Sequence, residues 1–268
     1  MLDLPHRFDF RGRAVAWGSL GAGEPLVLLH GTPFSSQVWR RIAPLLGGRW
    51  KVHYFDLLGY GESAKGGDDD DVSLGVQNGL LAALCREWGL AEPEVLAHDF
   101  GGATALRAYY LDGLRYRRLT LVDPVAVAPW GSPFVAHVRA HEAAFAGLPA
   151  YAHDALVAAY LQTAAHRPLG AEALAVYGRP WQGALGQAAF YRQIAQMDQR
   201  YTDEIEGRYG PLDGPVRLLW GERDDWIPLE RGRKLAARLT GGRLTPVPDA
   251  GHLVQEDAPE AIVAAMLS

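Results

Sequence analysis

The sequence predicts an α/β fold in which a mostly parallel central sheet, flanked by helices, carries an inserted helical cap. Two observations lead there. In the first half, short apolar runs alternate with helical patterns, as βαβ units require. From Ala126 to about Arg208 the strand signals vanish, and Ala-rich stretches such as Asp154 to Ala165 and Gln187 to Met197 replace them before strands resume. At 268 residues, one large domain with an insertion fits better than two independent domains. The expected division is a core of residues 1–125 and 209–268 and a cap of residues 126–208.

Val15 to Trp17 reads as an early strand. Leu26 to Leu29 is a continuous apolar run ending in His30-Gly31-Thr32-Pro33, as a buried strand entering a loop should. Val52 to Phe55 follows, broken by Asp56 and Gly59-Tyr60-Gly61, and a helix is expected over Leu74 to Trp88. Val95 to Ala97 is a strand that passes at once into a helix from about Gly101 to Leu111, and Leu119 to Val122 closes this half. After the cap, Val216 to Trp220 and Leu244 to Val247 complete the sheet.

Apolar residues make up 49% of the chain, enough for a sizeable core. The formal net charge is -5 and the Lys and Arg residues are scattered, which argues against a nucleic-acid partner needing a clustered basic face. The single cysteine, Cys85, sits in a helical apolar pattern and reads as core filler, and a reducing compartment follows. Neither a signal-type leader nor a membrane-length apolar run is apparent, so a cytoplasmic protein is expected, with no membrane partner. Asp68 to Asp71 reads as a solvated loop rather than a calcium site. Oligomeric state is not legible.

The strongest motif is Val95-Leu96-Ala97-His98-Asp99-Phe100-Gly101-Gly102. A strand turns sharply into a helix with small residues two before and two after Asp99, the layout of a nucleophile elbow with Asp at its centre. An Asp after a strand can also simply cap a helix, so partners matter. Trp220-Gly221-Glu222-Arg223-Asp224-Asp225-Trp226 follows a strand and offers Asp224 as an orienting acid, with Asp225 and Asp123 as alternatives. Asp249-Ala250-Gly251-His252 follows the last strand, so the chain order is nucleophile, acid, histidine. The backbone N–H groups of Thr32 and Phe100 are expected to form an oxyanion hole. His30 and His98 read as loop supports. His137 and His141, spaced i, i+4, could suit a metal but lack an evident third ligand.

With these motifs the chain resembles, over essentially its whole length, the aspartate-nucleophile branch of the α/β hydrolases. That branch includes haloalkane dehalogenases, haloacetate dehalogenases and epoxide hydrolases. The resemblance implies the α/β-hydrolase fold and attack by the Asp99 carboxylate on a saturated carbon, followed by hydrolysis of the alkyl ester by a water that His252 activates. Haloacetate dehalogenases resemble His-Asp-Arg at the elbow, and Phe100 disfavours that reading. Haloalkane dehalogenases grip halide with a tryptophan after the nucleophile and usually an asparagine in the oxyanion loop, where this chain has Phe100 and Thr32. Yet residues 31–40, 166–169 and 177–181 are similar to that family's loop and cap. Epoxide hydrolases hold the epoxide oxygen with two cap tyrosines. Ala189-Phe190-Tyr191-Arg192-Gln193 resembles one such segment and Ala158-Ala159-Tyr160-Leu161-Gln162 the other. The expectation is an epoxide hydrolase acting on a small or medium apolar substrate with water. Asp99, Asp224, His252, Tyr191 and Tyr160 would be catalytic, with no cofactor and no metal. The alternatives are a haloalkane dehalogenase and a non-catalytic ligand-binding protein of the same fold.

Overall fold

The computed structural model describes residues 1–67 and 70–268, so two positions of the Asp68–Asp71 run lie outside the described residues. β1 (His6–Phe10) and β2 (Arg13–Leu20) form an antiparallel hairpin. Its turn, Arg11-Gly12, has positive φ at both residues (56° and 79°), the geometry that tight hairpins require. β1 is an addition to the strands legible in sequence, because its charged alternation is typical of an exposed edge. β3 (Glu24–Leu29), α1 (Ala43–Leu46) and β4 (Trp50–Phe55) follow, then α2 (Leu74–Glu87), β5 (Glu94–His98), α3 (Phe100–Leu111) and β6 (Arg118–Val122).

Between β6 and the next strand the chain is helical only: α4 (Pro133–Ala140), α5 (Glu142–Ala146), α6 (Ala150–Gln162), α7 (Ala171–Gly178), α8 (Gly183–Ala195) and α9 (Arg200–Glu206). β7 (Val216–Gly221), α10 (Leu229–Leu239), β8 (Thr245–Val247), α11 (Val254–Asp257) and α12 (Pro259–Leu267) end the chain. The eight-stranded sheet has the order β1-β2-β4-β3-β5-β6-β7-β8. β2 and β4 pair antiparallel, and from β4 onward all pairs are parallel.

Burial explains the central strands. Leu26 to Leu29 and the whole of β5 are buried, since helices cover both faces of a parallel sheet. Cys85 is buried in that core, and burial pushes its thiol up to about 12, so it stays protonated.

Strand order also places the chemistry. β3 lies between β4 and β5, so the connection leaving it and the one leaving β5 diverge, opening a crevice at the carboxyl ends. Running along those ends, β3 leads to Thr32, β5 to Asp99, β6 to Asp123, β7 to Asp224 and β8 to His252. Residues distant in sequence become neighbours because their strands are.

Candidate active site

Asp99 stands between β5 and α3 with φ 51° and ψ -118°. A non-glycine residue held in that region costs about 1–3 kcal/mol and persists only where its surroundings enforce it. They do so by contact. A Cβ on Gly31 would lie 2.3 Å from Asp99 Cβ, and one on Gly101 would lie 2.6 Å from the Leu29 carbonyl oxygen. Both positions demand glycine because backbone or carboxylate already fills the space.

The two oxygens of Asp99 have different surroundings. Oδ1 accepts from the Thr32 N–H at 2.7 Å, and the Phe100 N–H also bonds to the carboxylate. Oδ2 faces His252 Nε2 at 3.4 Å, long for a hydrogen bond. Burial would raise the Asp99 pKa, but His252, His98 and the Phe100 N–H together outweigh it and hold the carboxyl below the usual range.

His252 Nδ1 donates to Asp224 Oδ2 at 2.9 Å. The other oxygen of Asp224 accepts from the N–H groups of Trp226 and Ile227, each at 2.8 Å, so the acid is fully committed. Asp225 is exposed and outside this chain of contacts. Burial would depress His252, but its two flanking carboxylates raise its pKa well above 6.5.

Asp123 lies buried beside this acid and accepts from the Gly221 N–H at 2.9 Å. Burial and the Asp224 charge push its pKa well up, which favours its neutral form. No hydrogen bond links it to His252 among the described residues. His98 Nε2 donates to the His252 carbonyl at 3.0 Å, and burial with the nearby His252 charge lowers its pKa to about 3. His30 Nδ1 donates to the Gly31 carbonyl, while its Nε2 accepts from Leu57 N–H. Both histidines therefore act as neutral loop braces.

A cavity of about 60 Å³ opens above Asp99. Its lining includes Thr32, Phe100, Val125, Met197 and Trp226, and across it stands Tyr160 of α6, whose hydroxyl bonds to no described residue. Burial and the Asp99 charge raise the pKa of Tyr160, keeping the phenol protonated. The Trp226 ring stacks between Tyr160 and His252, with centroid distances of 4.8 and 5.0 Å. Both tryptophans of the lining spend their indole N–H elsewhere: Trp130 on Thr202 Oγ1 at 2.7 Å and Trp226 on Thr163 Oγ1 at 3.0 Å.

Tyr191 differs from the expectation that it would face the nucleophile. His153 Nε2 donates to the Trp181 carbonyl, which leaves Nδ1 as an acceptor, and the Tyr191 hydroxyl donates to it at 2.9 Å. Its proton is already used, and its ring packs on Phe145 and Phe190. Burial pushes its pKa to about 12. Two residues further along α8, about 200° around a helix, Gln193 is the side chain that reaches Thr32. The sequence offered no signal for Gln193, since a lone glutamine in a helix reads as surface.

Asp257 was also missed. Its carboxylate accepts from the N–H groups of His166, Arg167 and Gly251 at 2.7 to 2.9 Å, tying the helical segment to the turn before His252. His137 and His141 have adjacent rings, but among the described residues no cluster of three metal-ligating side chains occurs. No helix of the described residues is long and apolar enough to cross a membrane.

The family model for the alpha/beta hydrolase fold matches residues 24–259. An alpha/beta hydrolase fold protein from Burkholderia ambifaria is 64% identical, with a TM-score of 0.98 over 100% of this chain and 98% of that chain. The haloalkane dehalogenase DatA from Agrobacterium tumefaciens C58 is 22% identical, with a TM-score of 0.81 over 97% of this chain and 94% of its own. The epoxide hydrolase CorEH is 23% identical, with a TM-score of 0.76 over 98% of this chain and 96% of its own. The last two likenesses are of fold. With a family model spanning most of its length and the sheet order described above, the chain belongs to the α/β-hydrolase fold family.

Proposed function

We propose that this protein is an epoxide hydrolase that opens small apolar epoxides to diols through an alkyl ester on Asp99. One observation carries the reading: a carboxylate held ready beside a buried histidine faces a phenol without a protein partner across an apolar cavity. Oδ1, already held by the Thr32 N–H, becomes the ester carbonyl oxygen, and Oδ2, which faces His252, is the attacking atom. As the Oδ2–carbon bond forms, the epoxide carbon–oxygen bond breaks. The departing oxygen takes the Tyr160 proton, because an alkoxide is far more basic than a phenolate.

Esterification removes the Asp99 charge, and with it one of the two carboxylates that hold a proton on His252. The His252 pKa then falls, its proton passes to the Tyr160 phenolate, and the neutral ring can act as base. It takes a proton from water, whose oxygen attacks the Asp99 Cγ, and the developing oxyanion on Oδ1 lies at the Thr32 and Phe100 N–H groups. Collapse releases the diol, which recovers its proton from His252, and the carboxylic acid proton passes to His252, restoring the imidazolium and the Asp99 carboxylate.

Halide release is the rival. It is disfavoured because a halide needs side-chain N–H donors, whereas the lining indoles are engaged and the Phe100 side chain has none. Mass spectrometry of His252→Gln incubated with epoxides tests the covalent step. The expected product is an alkyl ester on the peptide containing Asp99. An unmodified Asp99, under conditions where the wild type turns over, overturns the mechanism. Parallel assays of diol and halide formation decide the leaving group, and halide release without epoxide turnover would reverse the preference.

A further inference from the structure

His252 gains a positive charge when it takes a proton from water, and its ring has edges and a face on which neighbours can stabilise that charge. The edges are used. Nδ1 is bonded to Asp224 Oδ2, and Nε2 faces Asp99 Oδ2. The face meets Trp226, with ring centroids 5.0 Å apart and planes 26° from parallel. Trp226 is held there by three further contacts. Its backbone N–H donates to Asp224 Oδ1 at 2.8 Å, so it belongs to the turn that carries the orienting acid. Its indole N–H donates to Thr163 Oγ1 at 3.0 Å, and that hydroxyl donates to the Tyr160 carbonyl at 2.7 Å. The indole also stacks on the Tyr160 phenol at 4.8 Å. One side chain thus ties the base to the end of α6, where the proton donor stands.

The groups around His252 make that face matter most during ester hydrolysis. Esterified Asp99 has lost its charge. The His98 ring, 4.7 Å away, is neutral because burial lowers its pKa to about 3. Burial and the Asp224 charge likewise favour the neutral form of Asp123. Asp224 is then the carboxylate that remains bonded to the ring. A desolvated cation over an indole face is attracted by the ring quadrupole, and tryptophan is the strongest of the aromatic partners. That attraction counts where the base must keep enough proton affinity to deprotonate water.

We propose that Trp226 is a positioning residue for ester hydrolysis: its indole face stabilises the imidazolium that His252 becomes on activating water, and the Thr163 bond keeps that face in place. Trp226 transfers no proton and acts through His252. The assignment rests on hydrolysis of the Asp99 ester by His252, and it holds for an epoxide or a halide substrate alike.

The test replaces Trp226 alone with a series of increasingly fluorinated tryptophans, which withdraw electron density from the ring face while keeping its shape and its N–H. Trp226→Leu removes the face altogether. Asp99 is loaded in a single turnover with styrene oxide or benzyl bromide, and mass spectrometry follows decay of the ester from about pH 5 to pH 9, where histidine titrates. Decay is fast where His252 is neutral, so a face that stabilises the imidazolium places the rise in rate at higher pH. Each added fluorine is expected to move the midpoint toward lower pH, by about one unit in all, and Leu to move it as far. The fluorinated forms keep the packing, so they carry the comparison if Leu impairs folding. One midpoint for every ring form overturns the proposal. So does a Leu variant that slows decay without moving the midpoint, which marks Trp226 as packing. If His252→Gln traps no ester, the Asp99 reading itself has failed, and this one with it.

Discussion

At the scale of single residues, the site works by giving chemically equivalent atoms unequal surroundings. The Asp99 oxygens are alike in the free amino acid, but the Thr32 N–H holds one while the other faces His252. His252 is similarly divided, with Nδ1 fixed on Asp224 and Nε2 directed at Asp99. Tyr160 is distinguished from Tyr191 by its place in the cavity lining and by the hydrogen-bond partner that engages the Tyr191 hydroxyl. Replacing Tyr160 with Phe is therefore expected to slow ester formation from epoxides by about 100-fold, the range of a general acid. The rate with an alkyl bromide, whose leaving group needs no proton, should change little. Single-turnover mass spectrometry on both substrates checks this, and equal losses would remove Tyr160 from the acid role.

At the scale of elements, the histidine turn depends on a strut from a short helix. Asp257, the last residue of α11, accepts three backbone N–H bonds, two from the segment after α6 and one from Gly251. A Cβ on Gly251 would meet His166 N at 2.6 Å, so the two segments already touch. Asp257→Ala strands these donors, and the expected destabilisation is about 3 kcal/mol in urea unfolding. Because His252 is adjacent, the hydrolysis of a preformed ester should slow more than its formation. A second tie, Arg40 and Tyr177 converging on Glu256 Oε1 at 2.5 Å each, fastens α7 to α11 close by. An Asp257→Ala protein with unchanged stability would show that this second tie alone suffices.

At the scale of the whole molecule, buried neutral histidines set the acid limit. Burial lowers His98 to about 3 and, with Lys51 nearby, His53 to about 4. Both folded values lie below the ordinary 6.5. Between these values the unfolded chain binds more protons, so their contribution is intact above about pH 6.5 and is lost as pH falls. His252, whose pKa is raised, contributes fully below 6.5 and leaves that slope unaltered. Stability is expected to fall from pH 7 to pH 5, before the carboxylates titrate. Urea unfolding at a series of pH values checks this. A flat profile over that range would contradict the buried-neutral assignment of both histidines.

Much of the site could be read from the chain because local rules announce it. The run Ala97 to Gly102 forces an elbow at Asp99, since only small residues fit beside a crossing loop and strand. The alternation of apolar runs and helical patterns determined the sheet and the order of Asp99, Asp224 and His252 along the chain. Choosing Asp224 over Asp225 needed the turn in which Trp226 and Ile227 N–H groups close on one of two adjacent carboxylates. Facing sides of the helices were harder still. The segment containing Tyr191 is legible, but α8 carries Tyr191 and Gln193 in nearly opposite directions, and only packing against His153 and Thr32 decides which turns toward the Thr32 loop. Asp257 gave no signal, because a carboxylate that binds backbone N–H groups leaves no pattern in sequence. The sequence by itself determined the fold and the elbow at Asp99, whose requirements are local and steric. The tertiary structure decided which polar groups face the Asp99 carboxylate, because that depends on helix rotation and on where each buried proton finds its acceptor.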